Sequence, residues 1–384
     1  MKIRNYILSV GFLAMIFILG IGSDIKAVKF YKEGKPINEA WSPDLGRQNE
    51  TEYAGVFLGK EELINLNGGM RRVLGQQEMN KVVRLRNGQM TELKEKPIKK
   101  KKLRREAANV AAFSEFLAEE DIPFLYVIPP DKVAPYEILP AGYLDYSNHN
   151  IDIFKESLEA WEVPMIDLRQ TMLDDGIDWY SYFYKTDHHW TSEAGFYAYG
   201  KIADWITNNT DVDLDERAMN PDNYTTEHYQ KCLLGTWGQR TGTLFAGADD
   251  ITLYVPTFDT DVENLTFQKR GTMDAAVYNR DYIHEGKPEF IFDAVFDSTD
   301  QFVNYSTDST ATILIITDSF GRVVNPFLVL SARNMWFHSS YQTETINEKL
   351  IDKLDPDVVI MLQSGWNNLG EDKCFSFDIP GVKN

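Results

Sequence analysis

The stretch Thr186-Asp187-His188-His189-Trp190-Thr191-Ser192-Glu193 sets two of the chain's six histidines side by side, with a carboxylate before them and an indole after. In an extended segment residues i and i+2 share a face, so Asp187 and His189 can point the same way while His188 points elsewhere. A carboxylate beside an imidazole fixes its tautomer and stabilises the imidazolium formed when the ring takes a proton. An unperturbed histidine titrates near ~6.5, which suits a base at neutral pH. The partner for such a base is a weak nucleophile that needs one, and Ser319 in Thr317-Asp318-Ser319-Phe320-Gly321 is that residue. Asp187, His189 and Ser319 are therefore the candidate catalytic residues. The same loop also reads as hydrogen-bonded structure, or as a metal site built from Asp187, His188 and His189. The sequence has no further His/Cys/Glu cluster at ligand spacing, which counts against the metal. No metal and no cofactor is expected. His338, at the end of another strand, is a rival base, and Asp318 is left out because neighbouring side chains at a strand end diverge.

These residues need rigid elements to hold them. The spacing of Phe196, Tyr199, Ile202, Ala203 and Ile206 predicts a helix after the histidine loop, capped by Thr191 or Ser192. Ala311 to Ile316 is a continuous apolar run of the kind found in central parallel strands, and Ser319 stands just past its carboxyl end, where active groups of open parallel sheets collect. Its own N–H can serve a developing oxyanion, with Asn367, Asn368 or Arg240 as second donor. Around this pair the chain alternates. A helix is expected over Ala107–Glu120, a strand over Phe124–Ile128, a helix over Asn150–Trp161 and a strand over Val163–Leu168. After Ser319 come a helix near Asn325-Pro326, a strand over Met335–His338, a helix over Glu344–Leu354 and a strand over Asp357–Leu362. That rhythm predicts a parallel sheet covered on both faces.

Three stretches depart from it. Residues 80–93 read as a hairpin around Asn87-Gly88. Lys94 to Arg105 is a basic run in an acidic protein, read as a solvated connector into a helix rather than a contact for an anionic glycan. Residues 207–310 are polar and irregular and read as an insertion or lobe over the sheet edge. Within it the glycine-rich stretch 235–243 carries Trp237 and Arg240, which could meet a sugar or an oxyanion; Trp190 is a further substrate-contact candidate.

The chain has 384 residues, 58 acidic against 39 basic, for a net charge of −19. Such a surface repels phosphates and argues against nucleic acid as a partner. Lys2 and Arg4 followed by an uncharged run from Tyr6 to Gly22 read as a signal peptide or an uncleaved membrane anchor, placing the rest outside the cytoplasmic membrane. The expected organisation is residues 1–22 as that segment, 23–105 as linker and peripheral strands, and 106–384 as the catalytic domain. Cys232 and Cys374 could pair or stay free.

Asp187-His188-His189-Trp190 with Thr191-Ser192-Glu193-Ala194-Gly195, and Thr317-Asp318-Ser319-Phe320, together resemble the DHHW family and the related alginate O-acetyltransferase proteins of the AlgJ/AlgX type. Gly55 to Lys60, Val127 to Lys132 and Met165 to Leu168 support the resemblance, which spans roughly residues 50–370. It implies an SGNH-hydrolase-like, flavodoxin-type α/β/α domain with the triad in the permuted order Asp, His, Ser. It also implies acetyl transfer to an exported polysaccharide, with a membrane-bound O-acyltransferase as acetyl donor. Thr317 stands where such hydrolases usually carry glycine. Two other functions fit the same residues: an esterase removing acetyl groups, and a non-catalytic glycan-binding scaffold of an export complex.

Overall fold

The structure, a computed structural model, describes residues 59–136, 138–296, 301–340 and 345–382. The signal segment expected over residues 1–22, the linker after it, and all of the Gly55–Lys60 block except its last two positions lie outside them. Of those two, Lys60 opens a helix, Lys60–Val73, that the sequence reading did not contain. Its Asn65, Asn67, Gly68 and Gly69 are poor helix formers, and contacts with the short helices Thr236–Thr241 and Thr243–Ala246 hold it in place. Among the described residues no helix is long and apolar enough to cross a membrane.

The centre is an eight-stranded sheet. Five strands run parallel in the spatial order Met165–Asp167, Phe124–Ile128, Val358–Leu362, Thr312–Thr317 and Asn334–Ser339. The central strand Thr312–Thr317 shows why the run is apolar throughout. Successive side chains point to opposite faces; Ile313 and Ile315 enter one core and Leu314 and Ile316 the other. Helix Ser192–Asn209 and helix Asn325–Ser331 cover the first face, while helices Lys100–Glu119, Ser147–Ala160 and Glu348–Leu354 cover the second. This is the expected three-layer α/β/α arrangement. Cys232 lies in the first core and Cys374 in the second, so both are free, buried thiols that the sheet keeps apart.

Part of the stretch read as an insertion belongs to the sheet itself. Gln301–Asn304 pairs antiparallel with Asn334–Ser339, and Val262–Asn264 and Lys269–Gly271 continue the edge. These strands are only three or four residues long and mix buried Phe302 and Val262 with polar neighbours, so their sequence carries little periodicity. The rest of the stretch includes a hairpin, Tyr224–Leu233 with Asp249–Pro256. The hairpin at Asn87-Gly88 forms as expected, Val83 opposite Thr91. The basic run is less of a connector than expected: the long helix begins inside it, at Lys100.

Candidate active site

The carboxyl ends of the parallel strands converge on Ser319. Strand Thr312–Thr317 ends in Asp318, whose Oδ1 accepts the N–H of Phe320 at 2.9 Å and starts the single turn Ser319–Val323. The other oxygen, Oδ2, accepts Ser364 N–H at 3.1 Å, the Ser364 hydroxyl, and Asn368 Nδ2 at 2.6 Å. Asp318 thereby ties the serine turn to the end of the neighbouring strand Val358–Leu362. Thr317 fits where a glycine is usual because Gly321 leaves room for it; a Cβ there would stand 2.5 Å from Thr317 Cγ2.

His189 comes from the other side. Thr191 caps helix Ser192–Asn209, and Trp190 is sunk into the core with its indole N–H on the Phe320 carbonyl at 2.8 Å. That contact fastens the histidine loop to the serine turn. His189 Nε2 then lies 2.7 Å from Ser319 Oγ, and Nδ1 lies 2.7 Å from Asp187 Oδ1. The ring stacks on Phe292 with centroids 3.9 Å apart. Ser319 is half-buried; His189 and Asp187 are buried. His338 is in register with Ile316 on the adjacent strand; the imidazole that meets Ser319 is that of His189.

Electrostatics favour a neutral imidazole. Burial pushes His189 below its ordinary value and the adjacent His188 adds to this, with Asp187 pulling the other way. For Asp187, burial raises the carboxyl, but the charges and hydrogen bonds of His189 and His188 outweigh it and hold it well below the usual carboxylate range. One ligand atom from each of Asp187, His188 and His189 falls within 4.8 Å of the others. A cation bound there would have to take Asp187 Oδ1 or a ring nitrogen of His189 out of the hydrogen-bonded chain.

The loop holding Asp187 is clamped by residues the sequence reading missed. The Lys132 ammonium is buried and donates to the carbonyls of Tyr184, of Lys185 at 3.2 Å and of Asp187 at 2.6 Å. Burial brings it down to about 7, against the pull of the Asp249 and Asp187 carboxylates. Asp249 accepts the N–H groups of Lys185 and Thr186 and the Thr186 hydroxyl, at 2.6 to 2.7 Å. Thr236 N–H donates to Asp187 Oδ2 at 2.7 Å. Only the Val127–Lys132 block, used for the resemblance, hinted at Lys132.

Gly235 makes that last bond possible. Its φ of −72° suits any residue, so the demand is for space: a Cβ would lie 2.2 Å from Asp187 Cβ and 2.3 Å from Asp187 Oδ2. Gly235→Ala must push the carboxylate off His189, and misplacement of this size costs on the order of 100-fold in rate. Ester turnover and thermal unfolding, measured together, are both expected to fall.

The remaining candidates are placed as follows. Arg240 pairs with Glu92 at 2.6 Å and donates to the Asn80 carbonyl, tying the 236–241 helix to the hairpin. Asn368 is buried on Asp318, and its Oδ1 accepts the Cys374 thiol at 3.3 Å. Asn367 is half-buried in the turn after strand Val358–Leu362. Trp190 is a core residue, so substrate contact through it would require opening the core.

Residues 89–273 match a family model described as an SGNH hydrolase-like domain, acetyltransferase AlgX. Among solved structures the chain is similar to Bacillus cereus PatB1 with a sulfonyl adduct, at 17% identity and a TM-score of 0.63, covering 78% of this chain and 99% of that one. It is also similar to a DHHW family protein from Eubacterium siraeum, at 16% identity and a TM-score of 0.58, covering 77% of this chain and 93% of that one. At such identities the likeness concerns the fold. No curated protein matches the sequence. The resemblance read from the histidine loop and the serine block is borne out.

Proposed function

We propose, on the match of residues 89–273 to a family model described as an SGNH hydrolase-like domain, acetyltransferase AlgX, that the chain is an extracytoplasmic O-acetyltransferase acting on hydroxyls of an exported or cell-surface polysaccharide. The observation that carries this reading is the unbroken chain Asp187–His189–Ser319, with both links at 2.7 Å. Ser319 Oγ attacks the acetyl carbonyl carbon and its proton passes to His189 Nε2. The donor's leaving oxygen takes that proton as its bond to the acetyl group breaks, and an acetyl ester remains on Ser319. A sugar hydroxyl then gives its proton to His189 Nε2 and attacks the ester, and Ser319 Oγ leaves with the proton. Asp187 holds Nδ1–H and stabilises the imidazolium at each stage. The Ser319 N–H serves the oxyanion. The uncharged run from Tyr6 to Gly22 takes the chain to the cytoplasmic membrane, where a membrane-bound O-acyltransferase supplies the acetyl group.

The test is intact-mass spectrometry after incubation with an activated acetyl ester, followed by peptide mapping. One acetyl group on Ser319, discharged faster when an oligosaccharide is added and recovered on it, supports the transferase. Discharge to water at the same rate with and without sugar makes the protein an esterase, and no acetylation or turnover even with the membrane partner present makes it a scaffold. The base must be neutral, and burial holds His189 below ~6.5. Acylation is therefore expected to persist below pH 6.5 and fall only as pH drops through the lowered value, read from a pH profile of the acylation rate.

A further inference from the structure

Beside the serine turn lies a small cleft of about 10 Å³, walled by Thr91, Asp131, His188, Trp237, Phe320 and Trp366. That is room for about one water-sized group, so it suits a single hydroxyl rather than a ring. Three of its walls carry buried polar atoms without a hydrogen bond; His188 Nδ1 at least lies 3.1 Å from Asp187 Oδ1, which leaves Asp131 Oδ2 and Trp237 Nε1. Such atoms cost free energy unless something meets them. Both residues are buried, Asp131 1% and Trp237 2% exposed.

Neither side chain is loose. Asp131 Oδ1 accepts the N–H of Trp366 at 3.1 Å, and the Asp131 carbonyl accepts the Trp179 indole at 3.1 Å. The Trp237 backbone N–H is bound to the Thr186 carbonyl at 2.9 Å, one residue from Asp187. His188 packs against both tryptophans, its ring centroid 5.7 Å from Trp237 and 6.0 Å from Trp366, and the two indoles lie 5.4 Å apart. The cleft is thus fixed to both halves of the triad: to the histidine loop through Trp237 and His188, and to the serine turn through Phe320.

The unspent atoms are complementary. An indole N–H only donates, and an ionised carboxylate only accepts. One oxygen that accepts from the first and donates to the second is a hydroxyl. We propose, on the strength of the transferase reading above, that this cleft is the acceptor subsite: a sugar hydroxyl next to the reacting one enters it, donating to Asp131 Oδ2 and accepting from Trp237 Nε1–H. Acceptors with a neighbouring free hydroxyl are then preferred, and the second hydroxyl sets which position is acetylated. Burial raises the Asp131 carboxyl to about 7, with Asp145 adding to it and the Trp366 N–H, Arg169 and Lys94 pulling the other way; acceptor binding therefore strengthens as pH rises through that value.

Water offers the same donor and acceptor, so the test separates the two. Asp131→Asn and Trp237→Phe are compared with wild type, with 4-nitrophenyl acetate as donor and methyl hexopyranosides and cellopentaose as acceptors. Three quantities are read: the acyl-enzyme formation rate, the acceptor KM, and the glycoside Kd from tryptophan fluorescence. The expected result is an acceptor KM and Kd raised about tenfold in each variant, with acyl-enzyme formation changed less than twofold. An unchanged KM and Kd overturns the subsite, and so does an equal fall in acylation and transfer, which would make both residues mere supports of the histidine loop. Where wild-type acyl-enzyme discharges only to water, the transferase reading fails and the glycoside titration decides alone. Binding that is lost in both variants sustains the subsite, and no binding in wild type overturns it.

Discussion

Ser319→Ala is expected to lower ester turnover by about 10⁵-fold, since removal of the nucleophile of such a triad leaves only binding and oxyanion stabilisation. The Ser319 hydroxyl is the group that meets His189 Nε2. The turn it occupies is started by Asp318, whose bonds to Phe320, Ser364 and Asn368 are untouched by the change. Ser319 is also half-exposed, so the variant keeps its fold and its thermal midpoint. Loss of the acetyl adduct with an unchanged unfolding curve is the expected pair of measurements. Turnover within tenfold of wild type would move the chemistry to another residue. In cells, polymer acetylation that survives Ser319→Ala would favour a scaffold.

Asp187→Asn is expected to cost about 10³ to 10⁴-fold in the same assay. Asp187 accepts from His189 Nδ1 at 2.7 Å and, through its second oxygen, from Thr236 N–H at 2.7 Å. An asparagine has one oxygen for the Thr236 N–H on one side and for Nδ1–H and the His189 backbone N–H, 3.0 Å from Oδ1, on the other; in the orientation that keeps Thr236 paired, the oxygen is spent there. Its NH₂ then faces Nδ1 and draws the ring into the tautomer protonated at Nε2, which cannot take the serine proton. A second readout separates this from simple misfolding. The carboxylate is one of the groups that raise the His189 pKa, so the acid limb of any residual activity should move to still lower pH. A residual activity whose acid limb stays in place would mean that Asp187 acts on geometry alone.

The sequence by itself pointed to Asp187, His189 and Ser319 as the candidate reacting groups and determined the sheet that carries them. An Asp-x-His pair puts both side chains on one face by local geometry, and an unbroken apolar run such as Ile313 to Ile316 has to be a strand buried on two faces. Both signals are local, so they can be read from neighbouring residues. The match of the Phe124–Ile128 strand, residue for residue, has the same cause. What the tertiary structure alone decided are contacts between residues far apart in the chain. Lys132 reaches the carbonyls around Asp187 from 55 positions away, and Gly235 yields space to Asp187 from 48 positions. Asp318, set aside in the sequence because neighbouring side chains diverge, does diverge from Ser319, and by doing so it clamps Ser364 and Asn368. Arg240 looked free to meet an anion because its partner Glu92 is remote in sequence. The short edge strands stayed hidden for a related reason: three residues are too few to show a period, and their place was set by pairing with strands already in the sheet.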